Sequence, residues 1–510
     1  MSSRSPFRTA IRPAQSSRRD KALAECTAGA RALEMGRTDA ALQRYAAGVA
    51  LAPHDADVAA LHGVALRSVA RLHDAQKELI RAIAIDTSRA DSYTQLAQTY
   101  RMAGDKTQAA AAFLAAAMLS TADAIAWRDA AEALRLAGRL ADGLDAAYRA
   151  ATLAPNDASI ANTTALLMHR SNRIDEALAL CERARAHAPH DMHLALTHAL
   201  LLRTCGEWQD GWALYERRLE LPELLQRPHK PTSLRWNGSS LAGKHVLVRA
   251  EQGLGDQLQF ARWATLLRAH GAAKVTVQTA TSLVRLLKTA RHIDAVISCD
   301  SPAPSHHVHV DLMSLPHWMR SGSNMHTELV PYLAAPGVAP DVAQQLPTTA
   351  SGTIRIAIAW AGTPLYADDE SRSMPLAMLS PILSRNDVQA VIVQQGAGRT
   401  QLERLDGALR TRLIDVAPQC ADMGDTAHVL ARCDVLLCVD TSVVHVAGAM
   451  GLPAWVMVAA PSEWRWGRDS AESHFYPSVR VLRQQRGGDW APVVAEAVRA
   501  IDQWLSGRVG

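Results

Sequence analysis

The sequence predicts an all-α repeat array followed by an α/β region built as two Rossmann-like halves. Three observations carry this: a 34-residue register through the first half, a proline-marked break near residue 230, and short β-rich runs alternating with helical stretches beyond it. At 510 residues the chain exceeds one ordinary core, and 48% hydrophobic with 20% charged residues is a globular composition. A net charge of +4 gives no case for nucleic-acid binding.

Residues 1–21 hold Arg4, Arg8, Arg12, Arg18, Arg19 and Lys21 against Asp20 alone. With no apolar core segment, this stretch reads as a disordered basic tail rather than a secretory signal. No uninterrupted apolar run approaches about 18 residues, so no membrane span is expected. The cysteines Cys26, Cys181, Cys205, Cys299, Cys420, Cys433 and Cys438 form no CxxC pair, and they suit reduced core positions in a cytoplasmic protein.

The repeat array occupies residues 22–221, about six units. Pro53, Thr87, Thr121, Pro155 and Pro189 are spaced 34 apart. Small residues keep the same register at Gly29, Gly63, Ala97, Ala131, Ala165 and Ala199, and again at Ala41, Ala75, Ala109, Gly143, Ala177 and Gly211. Large residues recur at Leu66, Tyr100, Leu134, Met168 and Leu202, then at Tyr45, Leu79, Phe113 and Tyr215. Small residues at fixed places let antiparallel helices approach closely, and the large ones fill the groove between neighbouring pairs. This pattern resembles the tetratricopeptide repeat, although the usual first-helix Trp is missing and Ala147 and Cys181 replace the bulky second-helix residue. Stacked helix pairs of this kind imply a superhelix whose concave face grips an extended peptide or another protein.

After a linker at 222–241 the period changes. HVLVRA, KVTVQTA, DAVIS and HHVHVDLM form the strands of a first half, 242–335; IRIAIAWAG, VQAVIVQQG, DVLLCVD and PAWVMVA form those of a second, 350–510. Such a βαβ series implies open parallel sheets with ligands at the carboxyl ends of the strands. At the first of these ends, EQGLGDQLQF places Gly253, Gly255 and Asp256 between strand and helix. The glycines allow close backbone approach, and the new helix offers free N–H groups to an anion. Asp256 reads either as a functional carboxylate or as the cap of a helix starting at Gln257.

Four blocks in order carry a wider resemblance: EQGLGDQLQFARW, WAGTPLYADDESRSMPL, DTSVVHVAGAMGLPAW and WRWGRDSAESHFYPSVRVLRQQRGGDW. They look like the blocks of bacterial heptosyltransferase-like glycosyltransferases of family 9, in the form fused to tetratricopeptide repeats, over roughly residues 240–507. The resemblance implies a GT-B fold with the acceptor half first and the nucleotide-sugar donor half second, and usually no catalytic metal or other cofactor. By the same resemblance Asp256 is the base for the acceptor hydroxyl, with Gly253 and Gly255 keeping the cleft clear. Arg372, Ser373, Gln394, Asp440, Thr441, Ser442 and His445 are donor-site candidates, since diphosphate stabilisation without a metal falls to helix N-termini, hydroxyls and cations. Gln257 and His309 fall to the acceptor cleft. Thr363, Tyr366 and Glu370 depart from the family pattern and put donor affinity in question.

In the last block Arg465 and Arg483 are candidate ligand contacts, while Trp466 and Trp490 equally suit locking the final helix onto the sheet. His306, His307, His309 and Asp311 suggest a metal cluster, but an acceptor-cleft wall fits them better than zinc. The expected function is an inverting, metal-independent glycosyltransferase that moves a sugar from a nucleotide-diphosphate donor to a protein or glycan acceptor recruited by the repeats, protein O-glycosylation included. The alternative is a repeat scaffold whose second half is a sensory or inactive remnant.

Overall fold

The computed structural model describes residues 17–225, 232–319, 329–337, 341–344, 346–364 and 369–507. The chain forms two compact units, Met1–Leu167 and Met168–Gly510. Tetratricopeptide-like helix pairs come first, and a region of parallel sheets follows.

The helices up to residue 215 keep the sequence period. They are α1 (Arg18–Glu34), α2 (Thr38–Leu51), α3 (Ala56–Ser68), α4 (Leu72–Ile85), α5 (Ala90–Met102), α6 (Lys106–Leu119), α7 (Ala124–Leu136), α8 (Leu140–Leu153), α9 (Ala158–Arg170), α10 (Ile174–His187), α11 (Met192–Thr204) and α12 (Trp208–Tyr215). From α2 on, each class of helix restarts every 34 residues: 38, 72, 106, 140, 174 and 208 for one, 56, 90, 124, 158 and 192 for the other. Two devices set these boundaries. Asp55, Asp123 and Asp191 cap the first helices by accepting from backbone N–H groups one turn in. Between the two helices of each pair stands a residue of positive φ: Gly36, Ala70, Gly104, Gly138, Asn172 and Gly206, again 34 apart.

The small residues have the predicted task. A Cβ on Gly29 would lie 2.8 Å from the Tyr45 ring, and one on Gly63 would lie 2.6 Å from Leu79 Cγ. Residues 1–16 of the expected tail lie outside the described residues, but Arg18–Lys21 depart from that expectation. They form the first turn of α1, where Ser17 and Asp20 make a reciprocal capping box.

The second unit holds two all-parallel sheets. The first contains β1 (Leu234–Arg235), β2 (His245–Arg249), β3 (Lys274–Thr279), β4 (Ala295–Ser298) and β5 (Val308–Asp311), in the order β1-β5-β2-β3-β4. The second contains β6 (Ile354–Ala359), β7 (Val388–Ile392), β8 (Ile414–Asp415), β9 (Val435–Val439), β10 (Ala454–Val458) and β11 (Val479–Arg483), in the order β11-β10-β9-β6-β7-β8. Its middle strands are buried along their whole length, as the unbroken apolar runs require.

The expected linker therefore contributes an edge strand, since Leu234 pairs with Val308 and the neighbouring Trp236 is buried. The last repeat helices belong to this unit as well. Trp208 and Trp212 share a hydrophobic core with Phe260, Trp464 and Phe475. Just beyond α12, the Arg218 guanidinium forms a buried pair with Glu251 at 2.5 Å, and Glu251 also accepts from the Met313 backbone N–H. That pair anchors the chain two residues ahead of the GLGD loop.

Candidate active site

The carboxyl ends of β2, β6, β7, β9 and β10 open onto one cavity of about 570 Å³. Its lining includes Gly253, Gly255 and Asp256 from one side and Arg372, Asp440, Thr441, Ser442, His445 and Arg465 from the other. Two helix N-termini meet there. The helix Leu254–Ala264 begins behind Gly253, and the helix Ser442–Ala449 begins behind Thr441. Their free amides and positive dipole ends suit an anionic ligand.

The first helix starts three residues before the expected Gln257. Asp256 is therefore its third residue, not its cap, and its Oδ2 accepts from the Gly253 N–H at 3.2 Å. The chain enters this turn through Gln252, whose φ is +63°. The two glycines differ in their task. A Cβ on Gly253 would meet only Asp256 Oδ2, at 3.4 Å, which is ordinary contact. A Cβ on Gly255 would stand 2.8 Å from His445 Cδ2, so that glycine permits the two helix starts to approach rather than clearing the cleft.

At the centre, Arg465 donates from Nη2 to Asp256 Oδ1 at 2.9 Å and from Nη1 to His445 Nε2 at 3.3 Å. Burial works against the charge of Arg465, but Asp256, Asp440 and Glu463 outweigh it and raise its pKa above the usual arginine value. Burial pushes the Asp440 carboxyl up, with Arg465 opposing. Burial also drives His445 well below the usual histidine value, and Arg465, Arg262 and Arg372 add to that effect. Its Nδ1 is 2.9 Å from the Tyr476 hydroxyl. Both ring nitrogens of His445 thus have partners within the chain, and it orients Arg465 instead of donating to a ligand as expected.

Other donor candidates divide. Thr441, Ser442 and Arg372 line the cavity, with Arg372 Nε donating to Asp369 Oδ1 at 3.0 Å. Ser373 does not: its hydroxyl donates to Asp369 at 3.0 Å and accepts from the Gly362 N–H at 2.9 Å, bracing the loop. Gln394 borders the cavity, yet its amide is committed to Trp360 N, Ala361 N, Ala361 O and Gln395 O. It ties the end of β7 to that of β6. Thr363 lines the cavity, Glu370 is exposed outside its lining, and Tyr366 lies outside the described residues.

The acceptor candidates sit elsewhere. Gln257 accepts from the Thr279 hydroxyl at 2.8 Å and the Ala280 N–H at 3.0 Å, tying the helix to β3. His309 is buried on β5 with its Nδ1 3.0 Å from the Ser233 hydroxyl, because the unforeseen β1 covers that edge. The histidines around it diverge. His307 accepts from the His245 N–H, while His306 approaches the Pro304 carbonyl.

In the last block, Arg483 braces a loop through Ser462 and the Trp466 carbonyl and makes no approach to the cavity. Trp490 packs with the final helix, Ala491–Gly507, against the second sheet. Trp466 lies beside His445 at 5.8 Å between ring centroids, nearly parallel to it.

No family model matches the chain. Over 317 residues it is 24% identical to Protein FlbA of Caulobacter vibrioides, an alignment covering 57% of this chain and 52% of that protein. The chain thus spans about half the length of the curated relative it matches. Among solved structures, MamA protein aligns over 33% of this chain and 92% of its own with 19% identity and a TM-score of 0.30. Pseudomonas aeruginosa pilF covers 40% of this chain and 92% of its own, with 18% identity and a TM-score of 0.33. A tetratricopeptide repeat protein from Parabacteroides merdae covers 39% and 80%, with 13% identity and a TM-score of 0.36.

Proposed function

We propose that the second unit is an inverting glycosyltransferase of GT-B type, cytoplasmic, taking its sugar from a nucleotide-diphosphate donor. The repeats then recruit a protein or polymer acceptor. The observation that carries this reading is a cavity at the carboxyl ends of two parallel sheets that is lined by the carboxylate of Asp256 and by the guanidinium groups of Arg372 and Arg465, the latter paired with Asp256 at 2.9 Å. Glycosyl transfer needs that combination: an acceptor for the hydroxyl proton and positive charge for the departing diphosphate. Thr441, Ser442 and the amides behind them supply further donors at a helix N-terminus.

A thermal-shift screen of the full chain against UDP-, GDP-, CDP- and ADP-linked sugars tests the reading. A true donor at 100 times its Kd stabilises the folded state by about 2.7 kcal/mol, a rise of several degrees confined to one nucleotide class. Equal, negligible shifts across the panel overturn the donor site.

A further inference from the structure

The candidate base is already engaged within the chain. Asp256 and Arg465 hold one another at 2.9 Å with side chains only 15% and 13% exposed. Arg465 Nε, also buried, has no hydrogen-bond partner among the described residues. A guanidinium presents five N–H groups in a rigid fork matched to carboxylate and phosphate. Here that fork borders the cavity between two helix N-termini, with one edge on Asp256 and His445 and its Nε unmatched. Its seat is prebuilt. The His445 ring that accepts from it is fixed by Tyr476, lies against Trp466 and is crowded by the helix start at Gly255. An anionic ligand entering this cavity must compete with Asp256 for the same fork.

We infer that Arg465 is the diphosphate-binding cation of this site and that Asp256 occupies it until the donor arrives, so that donor binding is what releases the base. The inference rests on the glycosyltransferase reading. In the transfer step the acceptor oxygen bonds to the sugar C1 as the bond from C1 to the diphosphate oxygen breaks. The hydroxyl proton passes to Asp256, and the electron pair leaves on the diphosphate, where Arg465 holds it. Before that, Asp256 Oδ1 must give up its bond to Arg465. Binding is therefore ordered, donor first, and the base is uncovered only when there is a sugar to transfer.

A double-mutant cycle on binding tests this without any need for turnover. UDP, GDP, CDP and ADP are titrated calorimetrically into the full chain, Asp256→Asn, Arg465→Gln and the double variant. Competition for one fork predicts that Asp256→Asn tightens the nucleoside diphosphate that binds, by about 3- to 10-fold, and that Arg465→Gln weakens it by about 10- to 100-fold. In the Arg465→Gln background the gain from Asp256→Asn disappears. A gain that persists there is a bare charge effect and overturns the inference, as does weaker binding in Asp256→Asn. If one nucleotide binds and the cycle shows no coupling, only this inference falls. If none binds the unaltered chain, the donor reading falls with it. Should Arg465→Gln fail to melt cooperatively, Arg465→Lys replaces it: the charge stays, the fork is lost, and the gain from Asp256→Asn shrinks at least by half.

Discussion

The Trp212 ring stands perpendicular to that of Trp464, with centroids 5.3 Å apart, so the last repeat is built into the core of the sheet-bearing unit. Trp208 adds edge contacts to Phe475 and Trp464 at 5.4 and 6.1 Å. A fragment ending at residue 225 keeps both tryptophans and removes every one of these partners. It is expected to show red-shifted tryptophan emission and to self-associate at micromolar concentration, because a large apolar face is uncovered. A fragment of residues 1–170 keeps α9 whole and contains neither side of those contacts, and it should melt cooperatively with purely helical far-UV dichroism. A monodisperse 1–225 fragment with the emission of the full chain would contradict this boundary.

Ala70 holds φ at +60°, where four of its five counterparts are glycine and the fifth is Asn172. A side chain in the left-handed region costs about 1–2 kcal/mol, partly offset by the extra unfolded-state freedom of glycine. Ala70→Gly is therefore expected to stabilise the first unit by about 0.5–1 kcal/mol. Asn172→Gly should gain less, because Asn tolerates this region better than Ala does. Chemical denaturation of the single variants decides; a destabilising Ala70→Gly would mean that the turn does not govern the pair.

The two stabilities differ in how far the sequence foreshadows them. The helix restarts at 34-residue steps were legible because Gly29 against Tyr45 and Gly63 against Leu79 are contacts of short range, written as a period. The inner strands β2, β3, β6, β7, β9 and β10 were legible as apolar runs. So were the inner strand β5 and the edge strand β4, in HHVHVDLM and DAVIS, but the other edge strands were not: β1 and β8 have two residues each, too few for any pattern, and β11 lies among arginines. Within the site, Asp256, Thr441 and Ser442 stand just after a strand and Arg372 stands out through the family resemblance; all four line the cavity. Gln394, Ser373, Gln257 and His309 sit at similar places, but whether an amide or hydroxyl faces the cavity or closes on its neighbours depends on partners remote in sequence. Arg465 was half visible as one arginine among several, and its pairing across 209 residues with Asp256 had no local signal.

Gly253 and Gly255 look equivalent in the GLGD motif, yet their surroundings predict opposite outcomes. Gly253→Ser places a good cap residue where the space is open, with an expected change within about 0.5 kcal/mol. Gly255→Ala drives a methyl to 2.8 Å from the His445 ring, which Tyr476 and Trp466 prevent from yielding. Overpacking of this kind costs about 1–3 kcal/mol, and it should also weaken nucleotide binding by shifting Arg465. Thermal denaturation of the pair checks the contrast, which equal losses in the two variants would refute.

Asp256→Asn separates chemistry from structure at the proposed base. Asn is nearly isosteric, and its side-chain oxygen can keep the 3.2 Å bond from the Gly253 N–H, so the start of the helix is retained. Asp440 and Glu463 remain close enough to oppose the charge of Arg465 once its partner is neutral. The variant should therefore fold, with a melting profile close to that of the unaltered chain, and it should still bind nucleotide. Transfer, however, is expected to fall by roughly 100-fold or more, the scale of a removed general base. A purely structural Asp256 predicts the reverse: a lowered melting temperature and an unchanged rate per folded molecule. Because the repeats are proposed to deliver the acceptor, the rate has to be measured with the natural acceptor or by donor hydrolysis. A well-folded Asp256→Asn protein that transfers sugar at full speed would reduce the GLGD loop to a helix start held by its own carboxylate.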